Sequence, residues 1–163
     1  MYVTKKYRKE HISPKKRRRS KEILIVHTSW YEQYISEMLN ISKEILKDFD
    51  CDIATAPGAL ELYALALHKI SKNGYHDSWA GKNVQYVGII FLGIVIRGET
   101  SHYDLVTQET FRSINVLSEN HPQMAIINNV ICVENKEQLE ARLIKNTTNN
   151  TKALIQLINE KSS

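Results

Sequence analysis

Four short strand-like runs set the rhythm of the chain, β-rich at residues 22–27 and 51–55 and apolar at 86–92 and 124–128, the last resuming at 130–133. Strands covered on both faces read this way, whereas half-exposed strands alternate apolar and polar positions. Between the runs the period lengthens to that of a helix. Tyr34, Met38, Ile41 and Ile45 recur at helical spacing, with Ile35, Leu39 and Leu46 beside them. Residues 59–71 are apolar on nearly all sides, which predicts a helix buried on more than one face. Residues 103–119 place Phe111, Ile114 and Leu117 on one stripe, and residues 135–144 and 150–160 predict two closing helices. Strand and helix signals in alternation imply βαβ units with right-handed crossovers. The predicted fold class is a three-layer α/β sandwich, a four-stranded, mostly parallel sheet with helices on both faces, in a single domain over residues 22–163.

In such a sheet, ligands sit outside the carboxyl ends of the strands. That rule singles out residues 27–31, 55–61, 93–104 and 128–135. The third segment is the richest in chemistry. Gly93 and Gly98 allow unusual backbone shapes and close approach to a ligand. Ser101 with Asp104 three residues later has the spacing of a capping box that opens the next helix. A helix start offers free N–H groups and a partial positive charge, which suit a phosphate. His102 falls in that first turn, where the dipole favours the neutral imidazole that a general base requires. Arg97 adds positive charge nearby or serves as an ion-pair partner. The glycine spacing is not that of a P-loop, since no Gly-Lys-Ser/Thr follows. His11, His68, His76 and His121 lie in the arm or on surfaces without a spacing signal; His27 ends a strand at the functional edge. Trp30 is either core packing at a strand end or an aromatic platform for a ring.

Charge divides the chain in two. Residues 1–21 carry ten Lys or Arg against one acid, Glu10, for a net charge of +9; the other 142 residues hold 12 bases and 17 acids, or −5. The basic segment has almost nothing apolar to bury, which predicts a disordered arm, and it lacks the apolar core of a secretory signal. Its run from Lys15 to Arg19 is able to touch an anionic surface, but nucleic acid is not the expected partner of the acidic domain. No stretch approaches the roughly 20 consecutive apolar residues of a membrane span. Cys51 and Cys132 stand apart from each other and from histidine clusters, so no disulfide framework or zinc module is encoded and a cytoplasmic setting is expected.

Four motifs in register point further. The segment Gly93-Ile-Val-Ile-Arg-Gly-Glu-Thr-Ser-His-Tyr-Asp104 resembles the signature loop of the 6,7-dimethyl-8-ribityllumazine synthase family. Ala56-Pro-Gly-Ala-Leu-Glu61 resembles the family's Val-Pro-Gly-Ala-aromatic-Glu turn. Trp30-Tyr31 stands where the family has Phe-Asn, Trp-Asn or Phe-Tyr, and residues 130–138 resemble its late strand-to-helix segment. The resemblance spans residues 22–144. It implies a flavodoxin-like fold and a cofactor-independent condensation of 5-amino-6-(D-ribitylamino)uracil with 3,4-dihydroxy-2-butanone 4-phosphate, the penultimate step of riboflavin biosynthesis.

On that resemblance His102 is the proton shuttle and Trp30 stacks on the pyrimidine. Ala59, Leu60 and Glu61 hold the ribityl chain, and Ile94, Val95 and Ile96 line the pyrimidine pocket. Glu99 and Thr100 supply N–H groups to the butanone phosphate, which Arg142 completes. Asn128, where the family often has Phe, is implied to come from a neighbouring subunit of a homopentamer or pentamer-based assembly, with handover of product to riboflavin synthase. No metal or organic cofactor is implied. The chain departs from the family after Arg142: residues 143–152 are rich in Asn and Thr instead of Gly and Ala, which leaves Lys145 and Lys152 as alternatives at the phosphate. Leu60 replaces a common aromatic and Tyr63 a common Pro. The departure after Arg142 motivates a second reading, a flavin- or lumazine-binding paralogue without catalysis. A third makes the basic arm the working part, on an oligomeric platform that holds nucleic acid.

Overall fold

The computed structural model describes residues 21–74 and 85–163; the basic arm up to Ser20 lies outside the described residues, as does His76. The elements follow as β1 (Glu22–Thr28), α1 (Glu32–Ile45), β2 (Asp50–Ala56), a 3-10 turn (Ala59–Glu61), α2 (Leu62–Gly74), β3 (Tyr86–Ile96), α3 (His102–Asn120), β4 (Ala125–Val133) and α4 (Lys136–Lys161). The strands form one sheet in the order β2-β1-β3-β4. Every pairing is parallel.

Sequence pattern and topology explain each other. Along β1, Ile23 and Ile25 join the core under α1 and α4, whereas Leu24 and Val26 join the core under α2 and α3. All four are fully buried, and burying such side chains is worth roughly 1.5–3 kcal/mol each. Two covered faces are why β1 and β3 read as unbroken apolar runs, whereas the edge strand β2 leaves Asp50, Ile53 and Thr55 exposed. The chain steps from β1 to β2 in one direction and from β2 through β3 to β4 in the other. Right-handed crossovers put the connecting helix of the first step on one face and those of the later steps on the opposite face. That is the division seen: α1 on one side, α2 and α3 on the other, with α4 returning beside α1. On β2, the Asp52 carboxylate accepts the Tyr86 hydroxyl (2.6 Å) and the Lys69 ammonium (3.0 Å), pinning α2 to the sheet.

Three helix expectations need correction. The predicted pair at 135–144 and 150–160 is one unbroken 26-residue helix, α4, about 39 Å long at 1.5 Å per residue. Its middle, residues 146–151, is built of Asn and Thr, which favour helix weakly. Tertiary contacts override propensity there. Thr147 and Thr151 are fully buried. The Asn129 amide of β4 donates to Thr147 Oγ1 (3.0 Å) and accepts from Asn150 Nδ2 (2.7 Å). Thr151 Oγ1 donates to the Thr147 carbonyl (2.7 Å) and lies 3.1 Å from Ser42 Oγ of α1. This polar seam joins α1, β4 and α4 in the interior.

Helix α2 buries only Leu62 and Ala66 fully and leaves Leu67 37% exposed, because it meets the sheet on one side and has an open outer face in the single chain. On α3 the buried stripe is Thr110, Ile114 and Leu117, while Phe111 turns outward and is 46% exposed.

Asn129→Ala would strand the Thr147 hydroxyl and the Asn150 amide. An unfolding titration with urea is expected to show a loss of about 2 kcal/mol; an unchanged midpoint would mean that the seam contributes nothing.

Candidate active site

The strand order reverses between β1 and β3, and the crevice at such a reversal lies beyond the strands' carboxyl ends. Three segments converge there. After β1, the Ser29 N–H donates to the Ala56 carbonyl (3.1 Å) and the Ser29 hydroxyl to the Pro57 carbonyl (3.2 Å), tying the exit of β1 to that of β2. Tyr31 then adopts the left-handed conformation, φ 60° and ψ 50°, and its carbonyl accepts the N–H groups of Tyr34 (2.9 Å) and Ile35 (3.0 Å) to start α1. The turn leaves Trp30 standing at the rim, 66% exposed. It is therefore not core packing.

Facing it is the 3-10 turn Ala59–Glu61. A Cβ added to Gly58 would lie 3.0 Å from Glu61 Oε2 and 3.9 Å from Trp30 Nε1. The bare glycine makes room for the carboxylate beside the indole. The third segment follows β3, which extends to Ile96, so the loop expected at 93–104 shortens to residues 97–101. Gly93 thus lies within a strand, where an added Cβ would press on Val130 (3.3 Å) and Thr28 (3.4 Å); its role is close packing and not a turn. The capping box also fails to form. Ser101 contributes its carbonyl to the Asp104 N–H (3.1 Å) but no side-chain cap. The Thr100 hydroxyl accepts the His102 N–H (3.3 Å) instead. The Asp104 carboxylate turns to Arg97, with contacts of 3.0 and 3.3 Å.

A cleft of about 340 Å³ results, lined by Trp30, Ala59, Leu60, Glu61, Ile94, Val95, Ile96 and His102. These eight sequence-predicted residues come together from separate parts of the chain. Tyr31, Gly58 and Val106 line it as well. Val106 sits one helical turn beyond His102, a spacing from which it was readable. Glu99 and Thr100 are exposed in the adjoining loop.

Two predicted residues lie elsewhere in this chain. Asn128 pairs with Phe91, five residues before β4 ends, and lines a separate groove of about 440 Å³ with Phe111, Arg112 and Asn115. Its Oδ1 accepts the Val130 N–H (2.9 Å), which closes off part of the sheet edge. Arg142 is exposed on α4 and donates to the Gln138 carbonyl (3.2 Å). His27 lies between the Thr28 carbonyl (2.9 Å) and the Thr55 hydroxyl (3.1 Å), a bonded strand-end residue. Burial pushes the Cys132 thiol up to about 11, which keeps it protonated and unreactive at neutral pH. Among the described residues no three His, Cys, Asp or Glu side chains cluster as metal ligands.

An exposed indole, a carboxylate and a helix-start imidazole gathered at the strand-order reversal define a flavodoxin-like α/β protein with an open cleft at its switch point. The family model described as 6,7-dimethyl-8-ribityllumazine synthase matches residues 20–161. The chain is 37% identical over 125 residues to 6,7-dimethyl-8-ribityllumazine synthase 1 of Rhizobium meliloti (strain 1021), covering 74% of this chain and 75% of that protein. It is 36% identical over 136 residues to the 6,7-dimethyl-8-ribityllumazine synthase of Bartonella bacilliformis, covering 82% of this chain and 78% of that protein. Identity to the one from Agrobacterium fabrum is 34% over 126 residues, covering 74% and 78%. The chain belongs to the 6,7-dimethyl-8-ribityllumazine synthase family.

Among the described residues Tyr31 is the one non-glycine with positive φ. That conformation costs an L-residue roughly 1–2 kcal/mol, and Asn tolerates it better. Tyr31→Asn is expected to raise stability by about 1 kcal/mol in chemical denaturation; a decrease would show that the ring's packing outweighs the backbone strain.

Proposed function

We propose that the protein is a transferase that condenses 5-amino-6-(D-ribitylamino)uracil with 3,4-dihydroxy-2-butanone 4-phosphate to form 6,7-dimethyl-8-ribityllumazine, phosphate and water. The observation that carries this reading is the convergence of Trp30, Glu61 and His102 on one cleft. Trp30 offers an exposed indole face for the pyrimidine. The Glu61 carboxylate accepts ribityl hydroxyls, beside the backbone of Ala59 and Leu60. Main-chain groups of Ile94, Val95 and Ile96 read the pyrimidine edge. The N–H groups of Glu99 and Thr100 take the butanone phosphate, at the start of α3, whose dipole favours an anion.

The chemistry needs two reactants held together and protons moved. The amine at the pyrimidine 5-position attacks the butanone carbonyl and water leaves as the imine forms. Loss of phosphate, then attack of the ribitylamino nitrogen on the remaining carbonyl with loss of a second water, complete the product. His102 shuttles protons, and proximity supplies much of the acceleration.

Asn128 and Arg142 belong to a neighbouring subunit's share of the same site, with Lys145 or Lys152 beside Arg142. Two features support a homopentamer or a pentamer-based assembly. Neither Asn128 nor Arg142 lines this chain's own cleft, and Leu60, Leu67, Leu105, Phe111 and Ile144 are exposed apolar side chains on it. No helix among the described residues is long and apolar enough to cross a membrane, which fits a cytoplasmic enzyme that hands its product to riboflavin synthase.

Turnover followed by lumazine absorbance tests the reading. The wild-type protein is expected to form product and His102→Ala to lose about 100-fold in kcat. A well-folded wild-type oligomer that forms no product would overturn the assignment in favour of a binding protein; full activity in the variant would remove His102 from proton transfer.

A further inference from the structure

Arg97 stands at the exit of β3 and is the most fully engaged side chain around the cleft. Its guanidinium grips Asp104 in the first turn of α3 through both terminal nitrogens, Nη1 to Oδ2 (3.3 Å) and Nη2 to Oδ1 (3.0 Å). Its Nε holds Glu134, at the turn between β4 and α4, at 2.8 Å. The flat face of the cation lies 4.2 Å from the centre of the Tyr103 ring. Its backbone N–H donates to the Val133 carbonyl (2.9 Å). Glu134 is itself fixed, its N–H donating to Gln138 Oε1 (2.9 Å). One side chain therefore fastens β3, α3 and the β4–α4 turn to one another.

What these contacts enclose is the loop 97–101. The other bonds described in that loop are local, the Thr100 hydroxyl accepting the His102 N–H (3.3 Å) and the Ser101 carbonyl accepting the Asp104 N–H (3.1 Å). A Cβ added to Gly98 would meet nothing within 4 Å, and the Ser101 side chain makes no cap. The clamp is half open to solvent, with side-chain exposures of 36% for Arg97, 50% for Asp104 and 54% for Glu134. Ion pairs that exposed contribute little to stability, so the contribution of this one lies in geometry.

We propose that Arg97 is a positioning residue for the phosphate-binding loop: it crosses from residue 97 to Asp104 and Glu134, closes the loop, and fixes where the N–H groups of Glu99 and Thr100 and the imidazole of His102 point. Arg97 is then not a phosphate ligand, although its charge and place in the sequence suggest one, because each of its three nitrogens is already held by one of the two carboxylates. This inference rests on the reading of the loop as a phosphate site given above.

Two substitutions separate clamp from ligand. Asp104→Asn removes an anion beside the loop and releases Arg97. If Arg97 were a phosphate ligand, or if net charge governed the site, the variant would bind phosphate more tightly. A clamp predicts the reverse: KM for the butanone phosphate and Kd for inorganic phosphate each rise about tenfold, kcat falls, and KM for the pyrimidine stays within about twofold. Arg97→Lys keeps the charge but cannot bridge both carboxylates, and it is expected to behave like Asp104→Asn, with a melting temperature close to the wild type. Unchanged or tighter phosphate binding in Asp104→Asn, or full rescue in Arg97→Lys, would overturn the proposal. Wild-type protein that binds inorganic phosphate yet turns nothing over would count against the assigned reaction, while the phosphate measurements would still decide the clamp.

Discussion

The reversal of strand order between β1 and β3 is the constraint on which the rest of the molecule depends. A parallel sheet must be covered on both faces, and right-handed crossovers allow that only if the chain changes direction once. The change of direction opens a crevice, because the helices leaving β1 and β3 depart on opposite sides. Trp30 and His102 both stand just past those strands and line the same cleft. Chemistry and topology are thus not separate facts. The site lies where the backbone leaves space that helices cannot fill.

Holding that space open has local costs, and they fall at its rim. Tyr31 sits in left-handed backbone where Asn would be easier, in keeping with the tendency of strain to gather at functional sites. The 97–101 loop has neither a capping box nor a glycine turn to hold it and depends on an exposed ion-pair cluster. The core carries the stability instead: unbroken apolar strands, and a polar seam of Ser42, Asn129, Thr147 and Thr151 whose hydrogen bonds are met inside the protein. Rigid layers below and strained turns above form the division expected of a scaffold that positions a site.

Much of this was readable in the chain, for reasons that differ by element. Strands β1 and β3 announced themselves because two-sided burial leaves no alternation to confuse with a helix, whereas the edge strand β2 is partly exposed and showed itself by its β-rich composition. Eight cleft residues were found because five of them follow strand ends and the other three, Ile94, Val95 and Ile96, close β3, all within short, recognisable motifs. What escaped was decided by contacts distant in sequence. The Asn- and Thr-rich centre of α4 looked like a break because its partner, Asn129, lies some twenty residues earlier on β4. Asp104 looked like a cap because the pull of Arg97 from across the loop is not a spacing signal. Gly93 looked like a turn because close packing against Val130 and Thr28 leaves the same one-letter trace as a positive φ.

The incompleteness of the single chain follows from the same geometry. Asn128 lies at the level of Phe91, well down β4, and Arg142 projects from α4. Strands rise about 3.3 Å per residue, so Asn128 sits more than 15 Å along β4 from that strand's carboxyl end. No side-chain rotation would bring it to the Trp30 cleft on its own chain. The groove that Asn128 lines is shared with Phe111, the residue that left the predicted stripe of α3 to face outward. On the reading proposed above, that displacement and the open outer face of α2 are two signs of one arrangement: side chains whose packing partners, like the second half of the site, come from another copy of the chain. Assembly is then a condition of turnover, and apolar positions that look misplaced in the protomer are placed correctly for the oligomer.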